Sequence, residues 1–178
     1  MASDEERERD RRRKEFTALY RQYLPTVRAH VRFWVRDDDV DEIVSATFMI
    51  AWTRFDRLEA GAEKPWLLGI ARNQMRNHVR SRRRGYSLAD WMSSDLPTPE
   101  DTVVAAPDAA EYEPLLRAFR SLSEGDQELL ALSIWHDMTP AEIAVVVDAP
   151  QGTVRVRLFR ARRRFLEALG DAPEEEKP

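Results

Sequence analysis

Arg155, Arg157, Arg160, Arg162, Arg163 and Arg164 crowd one stretch, QGTVRVRLFRARRR, that contains no acid. In a chain of net charge −4 this is a local excess, and it calls for an anionic partner. A second stretch repeats the pattern. From Trp66 to Arg84 there are Arg72, Arg76, Arg80, Arg82, Arg83 and Arg84, again without an acid. Between the two lies the reverse: Asp90, Asp95, Glu100, Asp101, Asp108, Glu111 and Glu113, with no Lys or Arg from Gly85 to Leu116. Guanidinium groups bind phosphate oxygens and can read guanine bidentately, so two basic segments around an acidic connector suggest two polyanion-binding modules.

Other chemistries find little support. The chain has no cysteine, which excludes disulfides and thiolate metal sites and fits a reducing cytoplasm. His30, His78 and His136 stand singly, and no nucleophile elbow or phosphate loop is present, so no catalytic residue, cofactor or metal is expected. The acids Asp37, Asp38, Asp39, Asp41 and Glu42 lack the spacing, the glycine and the distal glutamate of a calcium loop, and read instead as helix-start acids. No apolar run reaches the ~18 residues of a membrane helix, and the N-terminus has no signal-peptide core, so membrane insertion is not expected.

The elements that must position these residues read as helices throughout. Phe16, Leu19, Tyr20, Tyr23, Leu24, Val27, Val31, Trp34 and Val35 recur at spacings of three and four, predicting a helix from Phe16 to Val35. Pro25 is expected to kink or split it. A second helix is expected from about Val40 to Arg54, N-capped by Asp38 or Asp39, with Ile43, Val44, Phe48, Ala51, Trp52 and Phe55 turned to the core. A third is expected from about Trp66 to Arg83, following Pro65. At 100° per residue it places Leu68, Ala71, Met75 and Val79 on one side. Trp66, Asn73, Arg76, Asn77 and Arg80 fall on the other.

The proline-punctuated connector reads as an acidic flexible linker over 85–111. Helices resume from about Tyr112 to Leu122, then from the N-cap Ser123 to about His136. Thr139-Pro140-Ala141-Glu142 is a capping box with proline at the first helical position, starting a short helix that ends near Val147. Asp148 tolerates a left-handed turn, and a last helix runs from near Pro150 to about Leu169. The expected fold is all-α. It has two small helical domains: an N-terminal bundle over 1–84 and a C-terminal helix-turn-helix domain over 112–170, with an acidic tail over 171–178.

A short capped helix, a tight turn and a basic second helix make the helix-turn-helix pattern. Val154, Leu158, Ala161 and Phe165 share its inward face; Arg155, Val156, Phe159, Arg160 and Arg163 point away. Gln151 and Thr153 lie at the end that would enter a major groove. Exposed Phe or Val can meet a thymine methyl there. The competing reading is a solvated basic helix whose arginines favour the helix dipole. On the Trp66 helix, aromatic and basic residues together suit unstacked nucleic acid, against a plain core role for Trp66.

Three blocks, in order, resemble one family. FTALYRQYLPTVRAHVRFWVRDDDVDEIVSATFMIAWTRF, KPWLLGIARNQMRNHVRSRRR and LLRAFRSLSEGDQELLALSIWHDMTPAEIAVVVDAPQGTVRVRLFRARRRFLEAL together resemble an extracytoplasmic-function sigma factor of bacterial RNA polymerase. The resemblance implies a non-enzymatic initiation factor in the cytoplasm that binds core polymerase and reads promoter DNA. The first domain would dock on the clamp helices of the largest subunit through Asp41, Glu42, Ser45, Phe48, Met49 and Trp52. Trp66, Asn73, Arg76, Asn77 and Arg80, with the preceding loop from Phe55 to Lys64, would capture and flip minus-ten bases. Gln151, Thr153, Arg155, Val156, Arg157, Phe159 and Arg160 would read the minus-thirty-five element. The acidic linker would thread toward the polymerase channels, and an anti-sigma partner is typical of the family. Two departures stand out: Ser45-Ala46 replaces the usual Gln-Glu, removing polar contacts expected at the clamp, and Asn77 stands where aspartate is common. Among the arginines, Arg155 and Arg160 are expected near base edges, Arg157 and Arg164 to serve phosphate or the domain's own acids, and Arg162 and Arg163 to add salt-dependent affinity. The rival function is a stand-alone helix-turn-helix regulator that binds duplex DNA without polymerase.

Overall fold

A computed structural model of the chain describes residues 4–85 and 109–170. Every regular element among them is helical. The chain divides into two units, Met1–Thr98 and Pro99–Pro178. Residues 86–108 of the connector expected over 85–111 lie outside the described residues, as does the acidic tail, while Gly85 ends one helix and 109–111 begin another, so the helices reach into both ends of the expected linker.

In the first unit α1 spans Asp4–Trp34, α2 Asp37–Thr53 and α3 Glu63–Gly85, and the three pack on one another pairwise. The core is apolar and drawn from all three: Val27 and Val31, then Ile43, Val44 and Ala51, then Leu67, Leu68 and Ala71. Three expectations change. First, α1 reaches back from Phe16 to Asp4, the first described residue. Its polar first turns have no apolar period; they are laced by pairs at helical spacing, Arg7–Asp4 and Arg11–Glu8 at i,i+3 and Arg9–Glu5 and Arg11–Glu15 at i,i+4. The Arg11 hydrogen bond holds the Glu8 carboxyl below its ordinary value. Second, Pro25 does not split α1. Arg21 and Pro25 are both exposed, so the carbonyl deprived of its N–H partner can be hydrated. Third, neither Asp38 nor Asp39 is the N-cap of α2. Arg36 holds that position without a side-chain cap, and Asp37, Asp38 and Asp39 form the first turn, where the helix dipole favours their charge. Groups from neighbouring helices meet this turn and the residues just after it: Arg32 Nε lies 3.1 Å from Asp37, His78 Nε2 3.3 Å from Asp39, and Arg28 Nη2 2.5 Å from Asp41.

A 3-10 turn, Phe55–Arg57, and a short loop join α2 to α3. Gly61 takes φ 85°, a conformation that favours glycine, and its N–H donates to Glu63 Oε1 at 3.0 Å.

In the second unit α4 spans Ala109–Arg120, α5 Glu124–Ile134, α6 Pro140–Val147 and α7 Gln151–Gly170. The three earlier helices all pack on α7, which is the hub. Ser123 caps α5, its side chain accepting from the Asp126 N–H. The buried side chains include Phe119, Leu129, Leu130, Leu132, Ile143, Val146, Val154, Leu158 and Ala161.

Candidate nucleic-acid interface

The helix-turn-helix is built by local rules. Thr139 Oγ1 accepts from the Glu142 N–H at 3.3 Å, while the Thr139 N–H and hydroxyl both donate to Glu142 Oε2 at 2.7 Å. Two otherwise orphaned N–H groups are thereby satisfied, and Pro140 begins the helix where no N–H is needed. Asp148 ends α6 in the left-handed region, φ 52° and ψ 58°, and turns the chain into α7. Val154, Leu158 and Ala161 then seat α7 on the core at spacings of four and three.

That seating fixes what α7 shows to solvent. Gln151, Thr153, Arg155, Val156, Arg157, Phe159 and Arg160 are all exposed. Phe159 is 68% exposed, an aromatic ring with nothing in its own unit to cover it. The arginines divide in two. Arg164 Nη1 lies 2.6 Å from Asp126 Oδ2, Arg162 donates to Ser133 Oγ at 2.8 Å, and Arg163 pairs with Glu167 at 3.1 Å. Arg164 thus serves the domain's own acid, and Arg162 and Arg163 are engaged where free salt-dependent charge was expected. Arg155, Arg157 and Arg160 make no hydrogen bond or ion pair among the described residues. Arg157 passes over α5 at Gly125, where an added Cβ would meet its Nη2 at 3.1 Å. Three uncommitted guanidinium groups therefore bracket Val156 and Phe159 on one outward face.

The α3 face has the expected composition. Asn73, Arg76, Asn77 and Arg80 follow helical spacing and are exposed, and Trp66 is half-buried above them in the chain. Its half-burial accommodates both readings of this residue, a packed body and an accessible edge. Leu68, Ala71 and Met75 are buried as expected, with Leu67 and Ile70 beside them, but Val79 is 38% exposed. The inward stripe ends before the last turns of α3.

On α2, Asp41, Glu42, Ser45, Met49 and Trp52 are exposed, Met49 by 70%. Phe48 is 5% exposed, its ring edge-on to Tyr20 at 4.7 Å. It forms the floor of a shallow apolar groove, with Phe16, Tyr20, Val44, Ser45, Met49 and Trp52 around it. Trp52, expected in the core, is 37% exposed, and packs edge-on against Phe16 at 5.1 Å. Phe16 and Tyr20 are groove residues that the sequence reading assigned only to helix periodicity. Arg12, outside every expectation, stands over the Trp52 ring at 4.6 Å. Among the described residues there is no acid or histidine cluster able to hold a metal ion, and no helix long and apolar enough to cross a membrane.

Comparison with known proteins adds to this geometry. Residues 19–85 match the family model Sigma-70 region 2, and residues 112–165 match Sigma-70, region 4. The RNA polymerase sigma factor CnrH of Cupriavidus metallidurans is 31% identical over 155 residues, 80% of this chain and 79% of that protein. The ECF RNA polymerase sigma-E factor of Salmonella typhimurium is 28% identical over 162 residues, 84% of this chain and 83% of that protein. Among solved structures, the sigma factor RpoE in complex with the anti-sigma factor NepR, from Bartonella quintana, aligns with a TM-score of 0.68 at 25% identity, covering 90% of this chain and 99% of that one.

Proposed function

This chain belongs to the extracytoplasmic-function sigma factors of bacterial RNA polymerase, which direct promoter-specific transcription initiation, and from that premise we propose a division of labour among three helix faces. The α7 face reads the minus-thirty-five duplex. Arg155 and Arg160 approach base edges, Val156 and Phe159 make apolar contact, Arg157 takes phosphate, and Gln151 and Thr153 lie at the leading end. The α3 face, Trp66, Asn73, Arg76, Asn77 and Arg80 with the loop before it, captures minus-ten bases once they unstack. The α2 groove docks on the clamp helices of the largest polymerase subunit, with Met49 and Trp52 as apolar contacts and Asp41, Glu42 and Ser45 at its polar margin.

The observation that carries this reading is the sorting of the α7 arginines. Those turned to the core or along the helix are paired, and Arg155, Arg157 and Arg160, which surround Val156 and the 68% exposed Phe159, are not. A folded unit gains nothing from such a face alone; a phosphate backbone and base edges give it a partner. An anti-sigma factor as a further partner is supported by the RpoE relative, which was solved with one.

Reconstitution of the full chain with core polymerase on a promoter library tests the reading. Specific initiation with minus-ten and minus-thirty-five preferences is the expected result. Palindromic duplex binding without polymerase, with no association with core, would instead favour a stand-alone regulator.

A further inference from the structure

Arg12 makes three different contacts with one short segment. Its guanidinium carbon lies 4.6 Å from the Trp52 ring centroid. Its Nη2 donates to the Trp52 carbonyl at 3.0 Å, across forty residues of sequence. Its Nε lies 3.1 Å from Asp56 Oδ1. Phe16, one turn further along α1, packs edge-on against both Trp52, at 5.1 Å, and Phe55, at 5.3 Å. The segment so held is the end of α2 and the 3-10 turn Phe55–Arg57, which leads through Gly61 into α3.

The chemistry of the contact is specific to arginine. Trp52 O belongs to the last turn of α2, where carbonyls lack helical N–H partners, and a guanidinium satisfies one while complementing the dipole. The guanidinium lies over the indole while its Nη2 donates to the carbonyl, and Nε faces Asp56 as an ion pair without a hydrogen bond. An ion pair to Asp56 alone, 72% exposed, would hold little. The three contacts act together because one rigid planar group makes them all.

We propose that Arg12 is a positioning residue for minus-ten recognition: it clasps the end of the docking helix to the 3-10 turn and so sets the loop that delivers captured bases to α3. The inference rests on the minus-ten reading of that loop and extends it to a residue in the polar opening of α1. Arg12 touches no DNA itself. It also covers Trp52, so the same side chain joins the docking groove to the recognition loop.

The test uses holoenzyme reconstituted from the full chain and core polymerase, with core saturating, and fluorescent non-template oligonucleotides carrying each single-base change across the minus-ten element. Asn73→Ala and Asn77→Ala first identify the positions read by α3. Wild-type preference at the remaining positions, on the order of tenfold or more for a good base contact, is expected to collapse toward ~1 in Arg12→Met while the α3 positions keep theirs. Arg12→Lys, which keeps the charge but not the fork, is expected to restore only part of the preference. Asp56→Asn opens the weakest side of the clasp without touching α1; it keeps the test available if Arg12→Met fails to fold, and is expected to lower preference at the same positions by less than Arg12→Met does. Unchanged preferences in Arg12→Met and Asp56→Asn, or equal flattening at every position, would overturn the proposal. A wild-type holoenzyme with no base preference would overturn the minus-ten reading itself, and this inference with it.

Discussion

Arg160→Met and Arg164→Met, one turn apart on the same helix, are expected to fail in opposite ways. Arg164 Nη1 is 2.6 Å from Asp126, whose side chain is 9% exposed, while Arg164 itself is 54% exposed. Removing Arg164 strands a nearly buried carboxylate. A fully buried broken pair costs about 3–5 kcal/mol; with one partner half in water, about 2–3 kcal/mol is the better figure for this pair. At roughly 4–8 °C per kcal/mol for a domain of this size, the second unit should melt about 10–20 °C lower. Asp126→Asn leaves the charge on the half-exposed member and should cost less, about 1–2 kcal/mol. Arg160 is exposed and uncommitted, so its loss should move stability by no more than about 0.5 kcal/mol. Its cost appears on DNA: about 1–3 kcal/mol if it reads a guanine bidentately, with the base preference relaxed at that position. If it meets only phosphate, the slope of log affinity against log salt should instead shrink by about 0.9. Hydrogen exchange of α5 and α7 amides and salt titration of holoenzyme on a minus-thirty-five duplex separate the two. The sorting of arginines would be refuted if Arg164→Met left exchange unchanged and weakened DNA binding as Arg160→Met does, or if Arg160→Met loosened the fold.

Three further perturbations have defined outcomes. Thr139→Ala removes the hydroxyl half of the capping box, leaving the backbone N–H of residue 139 on Glu142, and should destabilise the second unit by about 1 kcal/mol in denaturant unfolding, with DNA affinity falling only as the unit unfolds. Met49→Glu places a charge in the α2 groove and should weaken core polymerase binding at least ~tenfold in a competition assay, as expected for an apolar contact at the centre of an interface; Phe48→Ala should lower the stability of the first unit instead, by about 3–5 kcal/mol. Burial, with the Glu63 charge adding to it, pushes the Tyr23 phenol above its ordinary value of 10.0. The protonated phenol is therefore favoured by folding, and its contribution is intact below pH 10 and lost as pH rises through the folded-state value. The stability difference between wild type and Tyr23→Phe should change as pH rises above 10.0, in the direction of wild-type loss, and parallel curves would contradict this.

What could be read from the sequence was local. The Thr139–Glu142 box, the Ser123 cap and the left-handed Asp148 each depend on a few neighbouring residues, and all three stand as expected. The inward Val154, Leu158 and Ala161 follow from helical period alone. What could not be read depends on distant partners. Arg162 looks like Arg160 in sequence and differs because Ser133, 29 residues away, folds against it, while for Arg164, expected on phosphate or the domain's own acids, only the fold selects Asp126, 38 residues away. The N-terminal stretch of α1 is not legible in apolar period because its helix is set by charge spacing. Trp52 fits a core period, yet sits at the end of α2 with one face under Arg12 and another open. Phe48 and Met49 are told apart by helical period, which turns Phe48 inward and leaves Met49 outside the core face, and their 5% and 70% exposures follow it.

The central claim is that this chain opens promoter DNA only as part of polymerase, with its two units reading two elements. The most direct measurement places 2-aminopurine in the minus-ten element of a duplex promoter and follows its fluorescence with chain, core, or both. The account predicts a rise, reporting unstacked bases, only when chain and core are present together, and its loss when the minus-thirty-five element is scrambled. A rise with the chain alone, or none with chain and core on the promoter they select, would contradict it.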